Sequence, residues 1–207
     1  MNYSKDDAIR IVTKYSEVYD KELNGRNLLF LCMDKHKAVS YIEFAFHDYN
    51  FMHLTGLKPA CDGLKATDFY RRCLGHKLSP DDFAFAPDGT TPMKLDVLPL
   101  VICRNLSANM VGDFNSPHPK LYTEKAAGST KAYIGFVKDV LTSEYVPNTV
   151  VKEDMRMSVT DYKRVIAVYR KKRGEEKYAE RVYLSGKIDW SRIQYPKVYS
   201  YLPKPEG

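Results

Sequence analysis

The string Asn50-Phe51-Met52-His53-Leu54-Thr55-Gly56 sets a histidine two residues before a hydroxyl and closes on a glycine. In extended backbone, positions i and i+2 project to the same side, so His53 and Thr55 could share a pocket. Histidine titrates near neutrality and works as a general acid or base without a metal. A histidine flanked by Phe51 and Leu54 can equally be a hydrogen-bonded structural residue. In Leu121-Tyr122-Thr123-Glu124-Lys125, strand alternation places Leu121, Thr123 and Lys125 on one side and Tyr122 and Glu124 on the other. In the string from Asn148 to Arg156, the residues Asn148, Lys152, Asp154 and Arg156 share a face if a strand runs through it. Lys and Arg on one sheet face can hold a phosphate and stabilise a pentacovalent phosphorane, while Tyr122 or Asn148 orients a substrate. The same cations can instead pair across strands with Glu124, Glu153 and Asp154. The stretch Arg164–Arg173 ends in a basic cluster, with Arg170 and Lys171 beside Tyr169. Such a mix can grip a nucleic-acid backbone and stack a base, or form a solvated hairpin end that protects a sheet edge.

What the chain lacks narrows the chemistry. It has no Walker A loop, GxGxxG, HExxH or GxSxG string, which leaves metal-free acid–base chemistry, or binding. Cys32, Cys61, Cys73 and Cys103 are unevenly spaced, with no CxxC pair and no histidine at ligand spacing. Neither a disulfide framework, a structural zinc site nor a cofactor is expected. The net charge of +6 is unevenly placed. Residues 1–119 hold 14 Lys/Arg against 15 Asp/Glu, and residues 120–207 hold 18 against 11. That asymmetry suits a polyanion, RNA first among them, or else a solvated basic surface with no partner. No apolar run approaches the ~18 residues of a membrane span. Met1–Asp7 leads straight into a polar amphipathic pattern without a leader, so a cytoplasmic location is expected.

At 207 residues, with 44% apolar and 28% charged residues, one globular domain is expected. Ser4 reads as the N-cap of a first helix, with Asp6 and Asp7 in its first turn and Ala8, Ile11, Val12, Tyr15 and Val18 at helical spacing. Two β-type runs, 27–33 and 39–46, flank a polar turn and predict a hairpin. Thr67 and Ser79 read as N-caps of further helices, and Thr91-Pro92 opens another through about Asn105, kinked at Pro99. From Met110 the periodicity becomes β-like, with candidate strands at 110–114, 120–125, 132–138, 148–153, 164–171 and 178–184. The expectation is an α+β chain: mainly helical over 1–109, an antiparallel sheet over 110–185 and an irregular tail over 186–207.

The order NFMHLTG, TDFYRRCL, MVGDFN, LYTEKAAG, VPNTVVKEDMR and RVIAVYRKK resembles a phage-type subgroup, the fourth, of the barnase–EndoU–colicin–RelE-like nucleases. The resemblance runs over about residues 5–185. It implies helices packed on a four-stranded antiparallel sheet, and metal-independent RNA cleavage by attack of a 2′-hydroxyl on the adjacent phosphate. It also implies a toxin or effector of bacterial phages or mobile elements, with an antitoxin or a host or phage protein as a further partner. Carried over by motif, His53 and Thr55 come from NFMHLTG, Tyr122 and Lys125 from LYTEK, and Asn148, Lys152 and Arg156 from PNTVVKEDMR. A binding module using the same basic face is the competing expectation. A nuclease needs His53 and the cations in one pocket, whereas a binder needs only a continuous basic surface.

Overall fold

The structure, a computed structural model, describes residues 3–60, 63–116, 122–203 and 205. Helix α1 (Lys5–Glu22) starts in a reciprocal capping box between Ser4 and Asp7, and buries Ala8, Val12, Ser16 and Tyr19. Gly25, in the left-handed region at φ 66°, turns the chain into strand β1 (Arg26–Met33), which hairpins with β2 (Val39–Phe46). There follow α2 (Asn50–Thr55), β3 (Leu57–Pro59), α3 (Ala66–Leu74), β4 (Phe83–Phe85) and α4 (Thr91–Val101). The remaining strands are β5 (Met110–Phe114), β6 (Lys125–Gly128), β7 (Tyr133–Lys138), β8 (Tyr145–Val151), β9 (Val159–Lys172) and β10 (Glu180–Leu184).

The expected sheet lying under helices is instead closed on itself. Neighbours run β1-β2-β8-β7-β6-β5-β9 and return to β1, a seven-stranded barrel with β10 added to β9; β3 and β4 pair separately. Closure depends on two strands. The 14-residue β9 bonds β5 along Val159–Arg164 and β1 along Arg164–Lys172. Strand β1, an unbroken apolar run over Leu28–Cys32, is bonded on both edges and buried on both faces. The early hairpin is thus part of the main sheet and not an accessory to a helical half. One junction is parallel: β2 meets β8 through a single pair, Phe44 opposite Tyr145.

Local expectations fail where a turn satisfies the same chemistry as a helix cap. The Ser79 segment is a turn, in which the Asp82 carboxylate accepts from the Ser79 amide at 2.8 Å, and β4 follows. Helix α3 starts one residue before Thr67, with Lys65 as a cap that makes no side-chain bond. Helix α4 ends at Val101, just past Pro99. The strand expected at 120–125 is displaced to β6; Lys120 and Leu121 lie outside the described residues, as does Cys61.

One apolar cluster joins helix side chains such as Val12, Tyr19, Phe51, Phe69 and Leu98 to the strand face that carries Phe30, Phe44, Phe46, Phe136 and Val168. Within it Phe44 stacks on Phe136 at 3.8 Å between ring centroids. The opposite face of β1 and β9, with Leu29, Leu31, Ile166 and Tyr169, is covered by Ile193, Tyr199 and Leu202 of the tail. Among the described residues no helix is long and apolar enough to cross a membrane.

Candidate active site

Of the residues singled out in the sequence the structure brings Asn148 to Tyr122, while the others take separate partners. His53 and Thr55 lie on a helix and not in extended backbone, and residues two apart on a helix point roughly 200° away from each other. Thr55 is fully buried, with its hydroxyl donating to the Met52 carbonyl at 2.7 Å and accepting from the Leu57 amide at 3.1 Å. His53 is exposed, and the cations acting on it are Lys58 and Lys94. Lys125 pairs with Asp113 and lies over the Tyr145 ring at 5.9 Å. Lys152 holds Asp96 at 3.0 Å, and Arg156 Nε donates to both Asp154 oxygens at 3.0 and 3.1 Å. Asp96 and Lys94 are two apart on α4, so the Lys152 pair and the His53 neighbourhood sit on different sides of that helix. The Asn148 amide donates to the carbonyl of Tyr122, whose side chain is 87% exposed.

The end of β9 is equally revealing. Tyr169 is buried and bonded to the Tyr195 hydroxyl at 3.0 Å and the Pro203 carbonyl at 2.9 Å, so its ring offers no face to a base. Arg170 bridges Glu22 at 2.8 Å and Glu180 at 2.6 Å, and Lys171 lies over Tyr178 at 4.7 Å. Arg173, one of several cations of this run that form no ion pair among the described residues, leads elsewhere. Arg173 Nη1 lies 3.2 Å from Nδ1 of His47.

His47 follows directly on β2, and its main chain is fixed from three directions. Its amide donates to Asn50 Oδ1 at 3.1 Å, and its carbonyl accepts from the Tyr19 hydroxyl at 2.9 Å and the Asn50 amide at 3.1 Å. Gly25 ties the neighbouring strand ends together, donating to the Phe46 carbonyl at 2.9 Å and accepting from the Arg173 amide at 2.8 Å. Backbone bonds therefore set His47 and Arg173 on either side of one glycine. Glu144 arrives from the start of β8, next to the Phe44–Tyr145 junction. Its Oε1 accepts from Asn27 Nδ2 at 2.9 Å, and its Oε2 stands 3.7 Å from His47 Nε2. Tyr49 stacks on the imidazole at 5.0 Å and 13°.

The protonation state follows from the partners. A guanidinium can only donate, so Nδ1 must accept and the proton of neutral His47 is on Nε2, facing Glu144. The ring is only 4% exposed; burial first and Arg173 second hold its pKa below the usual histidine value, with Glu144 opposing. His47 Nε2 and Asn27 Oδ1 are buried without a hydrogen-bond partner among the described residues. Two orphaned polar atoms beside one carboxylate are a cost that a folded chain carries where chemistry needs it. The arrangement holds a carboxylate behind a neutral imidazole whose other nitrogen faces an arginine, a set whose chemistry suits a general base beside an anion clamp. Among the described residues no set of three or more His, Cys, Asp or Glu side chains is placed to hold a metal ion.

The sequence reading placed none of Asn27, His47, Tyr49 and Glu144 at a site, and included Arg173 only as the end of the Arg164–Arg173 basic stretch. The available signal was position: His47 closes an alternating strand, Glu144 precedes one, and Arg173 ends the basic run in which Arg170 and Lys171 attracted attention. What brings them together is barrel closure, which no local pattern reports. A hollow between α1 and His76, lined by Ile9, Thr13 and Glu17, involves none of them.

Residues 11–187 match a family model described as phage-Barnase-EndoU-ColicinE5/D-RelE like nuclease 4. No curated protein and no solved structure matches the chain. A match over that span settles membership: the chain belongs to this phage-type family of barnase–EndoU–colicin–RelE-like nucleases.

Proposed function

We propose that the protein is a metal-independent endoribonuclease of the toxin or effector type, with its centre at His47, Glu144 and Arg173. The observation that carries this reading is the buried imidazole, with an arginine 3.2 Å from Nδ1 and a carboxylate oxygen 3.7 Å from Nε2. When an RNA phosphodiester takes the Arg173 guanidinium, Nδ1 is released to accept the proton of the adjacent 2′-hydroxyl. The 2′-oxygen attacks phosphorus, the bond from phosphorus to the 5′-oxygen breaks, and the proton held by His47 is returned to that oxygen. The products are a 2′,3′-cyclic phosphate and a 5′-hydroxyl. Glu144 stabilises the imidazolium formed midway, and Arg173 the charge on the phosphorane.

The binding-module reading needs a continuous basic face, and four of the cations it would use, Lys125, Lys152, Arg156 and Arg170, face carboxylates. The test is purified protein incubated with RNA, with and without EDTA, and with a strand carrying 2′-deoxyribose at the cleaved position. Cleavage that survives EDTA, fails on the deoxy strand and leaves cyclic phosphate ends is expected. Cleavage that stops with EDTA, or that proceeds on the deoxy strand, would overturn the mechanism.

A further inference from the structure

A second concentration of positive charge lies away from His47. Lys94 in the first turn of α4, Lys58 in β3 and His53 near the end of α2 come from three elements that are bolted together. The Thr91 hydroxyl donates to the Gly56 carbonyl at 2.6 Å, and Lys94 Nζ donates to the His53 carbonyl at 3.1 Å. Gly56 is left-handed at φ 72°, and a Cβ there would come within 3.0 Å of Lys94 Cδ, so the glycine is what lets the lysine stem lie across this corner. Among the described residues none of the three cations forms an ion pair. The acid nearby, Asp88, is engaged with Thr90, accepting from its amide at 3.1 Å and its hydroxyl at 2.7 Å.

The crowding disfavours the charged forms. Burial and then Lys58 draw the Lys94 ammonium down to about 8, against a smaller opposing pull from Asp88. Although His53 keeps a solvent-exposed surface, partial desolvation by the chain around it, then Lys58 and Lys94, hold it below the usual histidine value. The contrast with α1 sharpens the point, since that helix has Asp6 and Asp7 in its first turn, whereas α4 has no acidic residue there. Three cations brought together beside a single carboxylate, Asp88, are destabilising alone and favourable once a further anion joins them.

We propose that His53, Lys58 and Lys94 form a phosphate-binding site separate from the His47 centre. Two ammonium groups and an imidazole from three elements suit the several acceptor oxygens of one phosphate. The phosphate can belong to a free phosphate or mononucleotide, or to an RNA strand running on from the cleavage centre. The second source rests on the function proposed above; the site itself does not. His53 lies six residues past His47, so the backbone between them spans at most about 20 Å, a length that a few nucleotides cover.

The test follows the His53 ring resonances of the full chain by NMR near neutral pH at constant ionic strength. Inorganic phosphate is added in one arm and a 2′-O-methyl RNA tetranucleotide, which cannot be cleaved, in the other. Saturable shifts at His53 are expected in at least one arm, with chloride inert and Lys58→Gln weakening the binding about tenfold. Lys58 is an exposed residue, so that variant leaves the core untouched. Shifts from phosphate alone assign a small-molecule source, and shifts from both, in competition, assign the RNA strand. A His53 signal indifferent to both additions, or shifts that Lys58→Gln does not weaken, would sink the proposal. Repeating the titration in His47→Ala separates the two readings, because the site should still bind where cleavage is lost.

Discussion

The two ends of the basic half use the same residue types to opposite ends. On β6 and in the segment just after β8, Lys125, Lys152 and Arg156 each face a carboxylate, of which only Asp154, the partner of Arg156, was among those expected from the sequence. At the end of β9, Arg170 is likewise held between Glu22 and Glu180, with its side chain 13% exposed. Three residues on, Arg173 is exposed and addresses a histidine. The lesson is that counting cations in a segment says little about phosphate binding. What matters is which cation lacks a local carboxylate and faces a titratable group whose protonation is poised.

The sharpest way to break this comparison is His47→Ala. Cleavage should fall by about 10²–10⁴-fold, the range for loss of a general base, with thermal unfolding followed in parallel. Next comes the arginine pair. Arg173→Ala should lower kcat/KM on the order of 10²-fold with little change in unfolding. Arg170→Ala should do the reverse, costing about 1–3 kcal/mol of stability because two carboxylates lose their partner. If the two variants behave alike, the division of labour along β9 is wrong.

The pH profile is a gentler probe. A general base must be neutral, and the depressed pKa keeps His47 neutral at pH 7. The rate should be level from neutrality upward and fall as pH drops below 6.5, the ordinary histidine value. Stability has the same sign. The unfolded chain binds the proton more readily, so this contribution is complete above the unfolded pKa and declines as pH falls towards the folded one. The smallest effects belong to Lys125→Ala and Lys152→Ala. Each should stay within about 1 kcal/mol of the parent in stability and within about twofold in rate, because these are exposed or half-exposed surface pairs.

Legibility in the sequence followed how local the determinant was. The β1–β2 hairpin and the start of β5 matched because alternation and turn residues act over a few positions. Ser79 misled because Ser-Pro-Asp-Asp satisfies its polar groups as a turn as well as it would a helix start. The NFMHLTG string misled through its period: Phe51, Leu54 and Thr55 are buried at helical spacing, which an extended reading cannot produce. The family was legible from the order of motifs across the chain. The candidate site was not, because Asn27, His47, Glu144 and Arg173 meet only once the barrel has closed.

The single parallel pair between β2 and β8 has a kinetic consequence. Strands held by one pair open more readily than strands held by a full ladder, without the rest of the barrel unfolding. Glu144 is on one side of that joint and His47 on the other, while the backbone bonds through Gly25 keep Arg173 with the histidine. If cleavage needs the carboxylate behind the imidazole, each opening switches the base off and each reclosing switches it on. Amide exchange at Tyr145 should then be fast compared with that of β1 and β9. Pressure or mild heating would slow turnover before it lowered the folded population.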